Sequence, residues 1–158
     1  MEKRLVEGGS KLRPEDFEVC VLEGESFSAM WPQISEQLDL IKHVWWDRWT
    51  KEEIFCAVLQ RRLQCWGIGP PSAHRLVVFS QILRFENVTT LQVMLAFGQS
   101  LELALPVLAA TLEKFARSAG CGKIEVVGRA GWEKLLAPYG MRLESVILSK
   151  RVSEMRVH

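Results

Sequence analysis

Few residues in this chain combine the type and spacing that chemistry needs. The four cysteines, Cys20, Cys56, Cys65 and Cys121, form no C-x-x-C pair, so the close ligand pairs that zinc requires are missing. Three of them sit in apolar segments and read as small hydrophobes of a reducing compartment. His43, His74 and His158 are scattered and add no ligand pattern, so no metal is expected. The single tyrosine, Tyr139, and the carboxylates are the remaining acid–base groups. Glu86, at the end of a strand-like segment, is the favoured general base, subject to geometry. Gly128-Arg129-Ala130-Gly131 precedes a short helix; it reads first as a tight turn and second as an anion site built from backbone donors.

Aromatic residues carry the other signal. Trp45-Trp46-Asp47-Arg48-Trp49 places three indoles within one pentapeptide, and a segment that short cannot turn all three toward one core. One or two rings are expected to plug the core, and at least one to be exposed or covered by a partner. Large rings gain much contact area at small entropic cost, and Trp and Arg are enriched at binding hot spots. Trp45, Trp46, Arg48 and Trp49 are therefore the expected partner-binding residues.

Periodicity supplies the elements that would position these groups. Residues 1–15 are polar and contain Glu7-Gly8-Gly9-Ser10, which predicts a flexible N-terminal arm; residues 16–158 read as a single domain. Phe17–Leu22 predicts a strand, and Met30–Ile41 a helix with Pro32 in its first turn. Thr50-Lys51-Glu52-Glu53 is a capping box that opens a helix ending near Arg62. Leu63–Ile68 follows as a strand. Val77, Phe79, Leu83 and Phe85 alternate in one strand, and Leu91, Val93, Leu95 and Phe97 in the next, which predicts an antiparallel hairpin with each set on one face. Ser100–Gly120 predicts the longest helix, ended by Gly120. A strand at Lys123–Val127, a helix at Trp132–Ala137 and a strand at Met141–Val152 complete the order β-α-α-β-β-β-α-β-α-β.

Composition narrows the partners. Twenty basic against nineteen acidic residues give a net charge of +1, too small to gather nucleic acid or anionic lipid by a long-range field. No apolar run reaches the roughly 20 residues of a membrane span. Met1-Glu2-Lys3-Arg4 leads into no apolar signal core, so secretion by that route is not expected.

The second half of the chain resembles a known family. Leu112-Glu113-Lys114-Phe115-Ala116-Arg117-Ser118-Ala119-Gly120-Cys121 is similar to the end of the long central helix of the GNAT N-acetyltransferases. Ile124-Glu125-Val126-Val127 resembles the strand after it, and Trp132-Glu133-Lys134-Leu135-Leu136 through Gly140-Met141 the short helix and the turn into the last strand. The resemblance spans roughly residues 17–152 and implies a GNAT-like α/β (α+β) fold, a central mixed but mostly antiparallel sheet with helices on both faces. The Gly128–Trp132 turn, the Thr50 helix and the Leu63–Trp66 strand look closest to GNAT-like proteins of short-tailed bacteriophages, some of which are virion components.

The same resemblance implies where acetyl-CoA would bind and what has been lost. The family's pyrophosphate loop, Q/R-x-x-G-x-G/A, relies on bare backbone next to a helix N-terminus. Here the corresponding segment is Gly98-Gln99-Ser100-Leu101-Glu102-Leu103, with leucines at 101, 103 and 105 in the glycine positions, an acid at Glu102 and Pro106 close by. The family's thiolate-protonating tyrosine falls on Leu136, while Tyr139 occupies an apolar position. The expectation is therefore a non-catalytic GNAT-like component, without cofactor, that binds other proteins such as those of a phage virion. It would reside in the virion or host cytoplasm, with homo-oligomers allowed. The alternative is an acetyl-CoA-dependent N-acetyltransferase with a degenerate cofactor loop, Glu86 and Tyr139 then being its acid–base candidates.

Overall fold

Residues 11–71, 73–129 and 131–153 are described in the computed structural model of the chain; the expected arm lies outside them up to residue 10. Five strands pair in chain order. β1 (Glu18–Leu22), β2 (Gln64–Gly69), β3 (Leu76–Arg84) and β4 (Thr89–Gly98) are antiparallel neighbours, and β5 (Lys123–Val126) lies parallel to β4. A parallel pair needs a long crossover, and α4 (Leu101–Ser118) supplies it. α1 (Gly24–Leu40), α2 (Lys42–Trp45) and α3 (Lys51–Leu59) connect β1 to β2, and α5 (Trp132–Leu136) follows β5. The mixed, mostly antiparallel sheet with helices on both faces is the fold class expected.

Each face of the sheet has its own core. Phe27, Ile34 and Leu38 of α1 and Ile54, Ala57 and Val58 of α3 pack on Cys65, Val77, Phe79, Leu95 and Phe97. Ala104, Leu108, Leu112 and Ala116 of α4 pack on Trp66, Ile68, Val78, Leu91 and Val93. Each fully buried aliphatic or aromatic side chain contributes roughly 1.5–3 kcal/mol. The buried Ser80 hydroxyl is satisfied: the Trp66 indole N–H donates to Ser80 Oγ at 2.9 Å, and that hydroxyl donates to Gln64 Oε1 at 2.8 Å, as burial of a polar group demands.

The central hairpin departs from simple alternation. Phe79 pairs with Leu95, but the next residue, Ser80, pairs with Val93, so Met94 is an extra residue in β4. Such a bulge shifts the pleat by one. Leu91 and Val93 consequently face α4, whereas Leu95 and Phe97 face α1 and α3. The expectation that all four share one face is corrected: two apolar pairs of equal parity serve two different cores. Likewise Phe85 belongs to the exposed turn rather than the strand.

Three further boundaries differ. α1 begins at Gly24, not Met30, because its apolar stripe of Phe27, Met30, Trp31, Ile34 and Leu38 already runs at helical spacing. Pro32 is inside the helix, on its exposed side. The Thr50 capping box forms as read, Glu53 N–H to Thr50 Oγ1 at 3.0 Å and Thr50 N–H to Glu53 Oε1 at 2.8 Å, but α3 ends at Leu59 ahead of the left-handed Arg61. No strand forms over 141–153. There Leu143, Val146, Ile147, Leu148 and Val152 are all exposed, so no apolar face of the segment is buried against the sheet. The segment is held instead by side chains, Glu144 on Lys123 and Arg151 on Asp47.

The cysteines divide by burial more sharply than expected. Cys65 is buried, Cys121 half-buried, and Cys20 and Cys56 are exposed. Burial, and then the neighbouring Cys20, pushes the Cys65 thiol up to about 12, so it keeps its proton at all ordinary pH and is no nucleophile.

Two outcomes are expected. Deleting Met94 removes the extra residue and makes β4 a regular strand in which Leu91 and Val93 keep the α4 face and Leu95 and Phe97 the other, so the variant keeps a cooperative thermal transition in circular dichroism; loss of that transition contradicts the two-core assignment. With an aromatic disulfide reagent at mildly alkaline pH, Cys56 is modified in the folded protein while Cys65 reacts only after denaturant is added, as read by peptide mass spectrometry.

Candidate functional site

The bulge has a consequence at the neighbouring strand. β4 and β5 pair from Thr90–Lys123 to Val93–Val126, and the Val127 N–H donation to the Val93 carbonyl at 2.9 Å is the last rung. β5 then ends, while β4 continues to Gly98. From Leu95 to Gly98, β4 therefore has a backbone edge with no strand beside it. On the α4 side a cavity of about 440 Å³ runs from this parting along β5 to Cys121. Val93 and Ala96 form its floor, Leu101, Leu105 and Leu108 one wall, and Trp132, Leu136 and Tyr139 the other. The Trp132 ring lies against Gly128, where a Cβ would stand 2.7 Å from it.

One end of the cavity is the start of α4. Gly98 has φ +127°, and a Cβ there would meet the Arg75 carbonyl oxygen at 2.2 Å, so only glycine fits. Gln99 donates its N–H to that same carbonyl at 2.7 Å. Ser100 takes a left-handed conformation, φ 66°, and its side chain makes no capping hydrogen bond. The N–H groups of Leu101, Glu102 and Leu103 have no acceptor within an α-helix, and together with the helix dipole they favour an anion. The side chains are less welcoming. Leu101 and Leu105 wall the cavity, Leu103 packs toward the α4-side core, and Glu102 is exposed at the same turn. The positions read as glycine slots are thus the first turns of the helix itself, not a loop before it.

The opposite face of the parting strands is polar. Leu91 and Val93, and likewise Ile124 and Val126, pack toward α4, so Gln92 and Glu125 between them point the other way. Gln81 Nε2 donates to Gln92 Oε1 at 2.8 Å, and Gln92 Nε2 donates to Glu125 Oε1 at 2.7 Å. The result is a side-chain ladder across β3, β4 and β5. Lys123 Nζ lies 3.9 Å from Glu125 Oε2 but is bonded to Glu144. That hydrogen bond is the main cause holding the Lys123 ammonium above its usual range and the Glu144 carboxyl below its own. Sequence reading missed this ladder; its signal was polar residues recurring at single positions of otherwise apolar strands.

The residues singled out in the sequence fall in three places. Tyr139 lines the cavity, beside Gly140 and Leu136. Glu86 sits exposed in the β3–β4 turn, at the end of β4 opposite Gly98; ten strand residues at about 3.3 Å each separate those ends. It is not part of the cavity wall. Of the tryptophan cluster, Trp45 and Trp49 lie on the face away from α4. Trp45 is buried with its indole N–H on the Leu38 carbonyl at 2.9 Å, and Trp49 packs against the same core. Trp46 is half-buried under the Arg151 guanidinium, 4.8 Å above its ring, and Arg48 is exposed. The ring expected to need a cover has one from its own chain. Among the described residues, no group of three or more His, Cys, Asp or Glu side chains converges as metal ligands, and no helix is long and apolar enough to cross a membrane.

No protein-family model matches the chain, and no curated protein matches its sequence. Solved structures match its fold. A glucosamine-6-phosphate N-acetyltransferase from Arabidopsis thaliana is similar with a TM-score of 0.62 at 18% identity, over 87% of this chain and 99% of that one. An aminoglycoside acetyltransferase, HMB0005, from an uncultured soil metagenomic sample is similar with a TM-score of 0.64 at 12% identity, over 87% and 99%. A probable acetyltransferase reaches 0.67 at 8% identity, again over 87% and 99%. Identities this low speak for the fold alone: this chain has the GNAT-like fold of those acetyltransferases.

Proposed function

We propose that the chain binds a coenzyme A thioester in the cavity beside α4 and acts as an acetyl-CoA-dependent N-acetyltransferase with an unusual cofactor loop. One observation carries this reading. β4 and β5 part after the Met94 bulge, and the gap opens onto a cavity that ends at an uncapped helix N-terminus. The unpaired edge of β4 from Leu95 to Gly98 matches the amides of an extended pantetheine arm. The first-turn amides of α4 match a diphosphate and need no particular side chain to do so. Acetyl transfer then forms a carbon–nitrogen bond and breaks the carbon–sulfur bond. The Tyr139 hydroxyl at the cavity wall is the group available to protonate the departing thiolate.

A second reading is favoured by a specific set of side chains. Leu101 and Leu105 narrow the cavity next to the helix start, Glu102 puts a negative charge at the turn that would meet the phosphates, and Leu136 stands where the family has its acid. These support a non-catalytic protein-binding component that presents Arg48 beside the half-buried Trp46 and its Arg151 cover. Its assignment to a bacteriophage virion rests on the sequence resemblance around Gly128–Trp132.

Titration calorimetry with acetyl-CoA separates the two. Micromolar binding accompanied by acetylation of a model amine is the outcome expected of the transferase; absence of heat at millimolar ligand overturns it and leaves the protein-binding reading. In an active preparation, Tyr139→Phe is expected to lower kcat by about 100-fold or more with acetyl-CoA affinity unchanged. An unchanged kcat removes Tyr139 from the mechanism.

A further inference from the structure

From the ladder on the far face of the parting strands we infer that Glu125 is the acceptor-side carboxylate, the group that receives the amine of the second substrate; the inference rests on the acetyl-transfer reading for its catalytic meaning. Three features of the side chain argue for it. First, position: Glu125 pairs with Gln92, one residue before the Val93–Val126 pair at which the strands separate. It stands at the apex of the gap, on the face opposite the cavity. A thioester carbonyl lying in the gap is approached from one face by its own coenzyme and from the other past Glu125.

Second, preparation: Gln92 holds Oε1 at 2.7 Å, and Gln81 holds Gln92 at 2.8 Å. The carboxylate is fixed in direction by two amides that carry no charge and cannot neutralise it. Third, an open valence: among the described residues the cation paired with Oε2 is Lys123 Nζ at 3.9 Å, a long contact, and its hydrogen bond goes to Glu144. The side chain is 34% exposed, and among the described residues the hydrogen bond to the carboxylate falls on Oε1 and leaves Oε2 without one. A half-buried, oriented carboxylate with one oxygen open is suited to a primary ammonium, because charge-assisted hydrogen bonds are about twice as strong as neutral ones.

The amine, held as its ammonium, first releases one proton to solvent, which frees the nitrogen lone pair for attack. Glu125 takes the proton that the amine nitrogen loses as the carbon–nitrogen bond forms. The sulfur, released as the carbon–sulfur bond breaks, takes a proton from Tyr139. The proton on Glu125 returns to Tyr139 through solvent.

The test titrates the full chain with butane-1,4-diamine and follows the side-chain amide resonances of Gln92 and Gln81 by NMR. It uses wild type, Glu125→Gln and, as a control carboxylate on the exposed side of α5, Glu133→Gln. Glutamine at 125 keeps the oxygen that accepts from Gln92, so the ladder survives and only the charge is lost. A saturable shift at Gln92 in wild type and Glu133→Gln, weakened on the order of tenfold in Glu125→Gln, supports the assignment. Equal affinity in all three proteins, or no saturable shift at Gln92 in wild type, overturns it. Acetyl-CoA titrated into the same samples keeps the two ideas apart. Diamine binding that depends on Glu125 without acetyl-CoA binding sustains the amine site and sinks the transferase; acetyl-CoA binding without a diamine shift does the reverse.

Discussion

One extra residue in β4 sets the geometry of this molecule. With Met94 inserted between the Val93 and Leu95 pairings, the strand presents Leu91 and Val93 to α4 and then Leu95 and Phe97 to α1 and α3. A regular strand would leave one core without its central pair. The bulge also increases local twist, and β5 follows β4 only as far as Val93. Core and cleft therefore meet at one place: bulging Met94 out of register lets both faces fill with apolar side chains, and β4 loses its parallel neighbour at the residue before it.

Local chemistry in the sequence was a good guide wherever an element's signal was self-contained. The Thr50/Glu53 capping box, the α4 stripe of Leu105, Leu108 and Leu112 ending at Gly120, and the β3–β4 hairpin all appear as read. The misses share a cause, since each was decided by a neighbour rather than by the segment. The bulge is invisible to period-2 counting, because residues 91, 93, 95 and 97 keep perfect parity across it. α1 extends to Gly24 because Phe27 has a place under α3, its ring 5.7 Å from Phe55, which no proline rule foretells. The segment after Gly140 has strand-like composition, yet no strand pairs with it, and the chain is anchored by Glu144 and Arg151 instead.

The site was legible only in part. Tyr139 could be placed near the turn after α5 from sequence, and it does reach the cavity. The Gln81–Gln92–Glu125 ladder could not be found, because its members lie in three strands and become neighbours only through register. The start of α4 shows a tension that sequence and structure express differently. Its leucines and Glu102 speak against a diphosphate, whereas its backbone, with an uncapped first turn behind a glycine at φ +127°, offers the donors that a diphosphate uses. Backbone donors are present whatever the side chains are, so bulk and charge weaken binding by degrees while the absence of a helix start would abolish it.

The account is tested most directly by mapping acetyl-CoA onto the backbone amides with nitrogen-15-labelled protein. If the parting of β4 and β5 is a thioester cleft, the amides of Leu95 to Gly98 and of Leu101 to Leu103 shift together and saturate at one ligand concentration, while those of β1 and α3 stay still. Saturable shifts confined to another surface, or none at these amides with the ligand in excess, would contradict it.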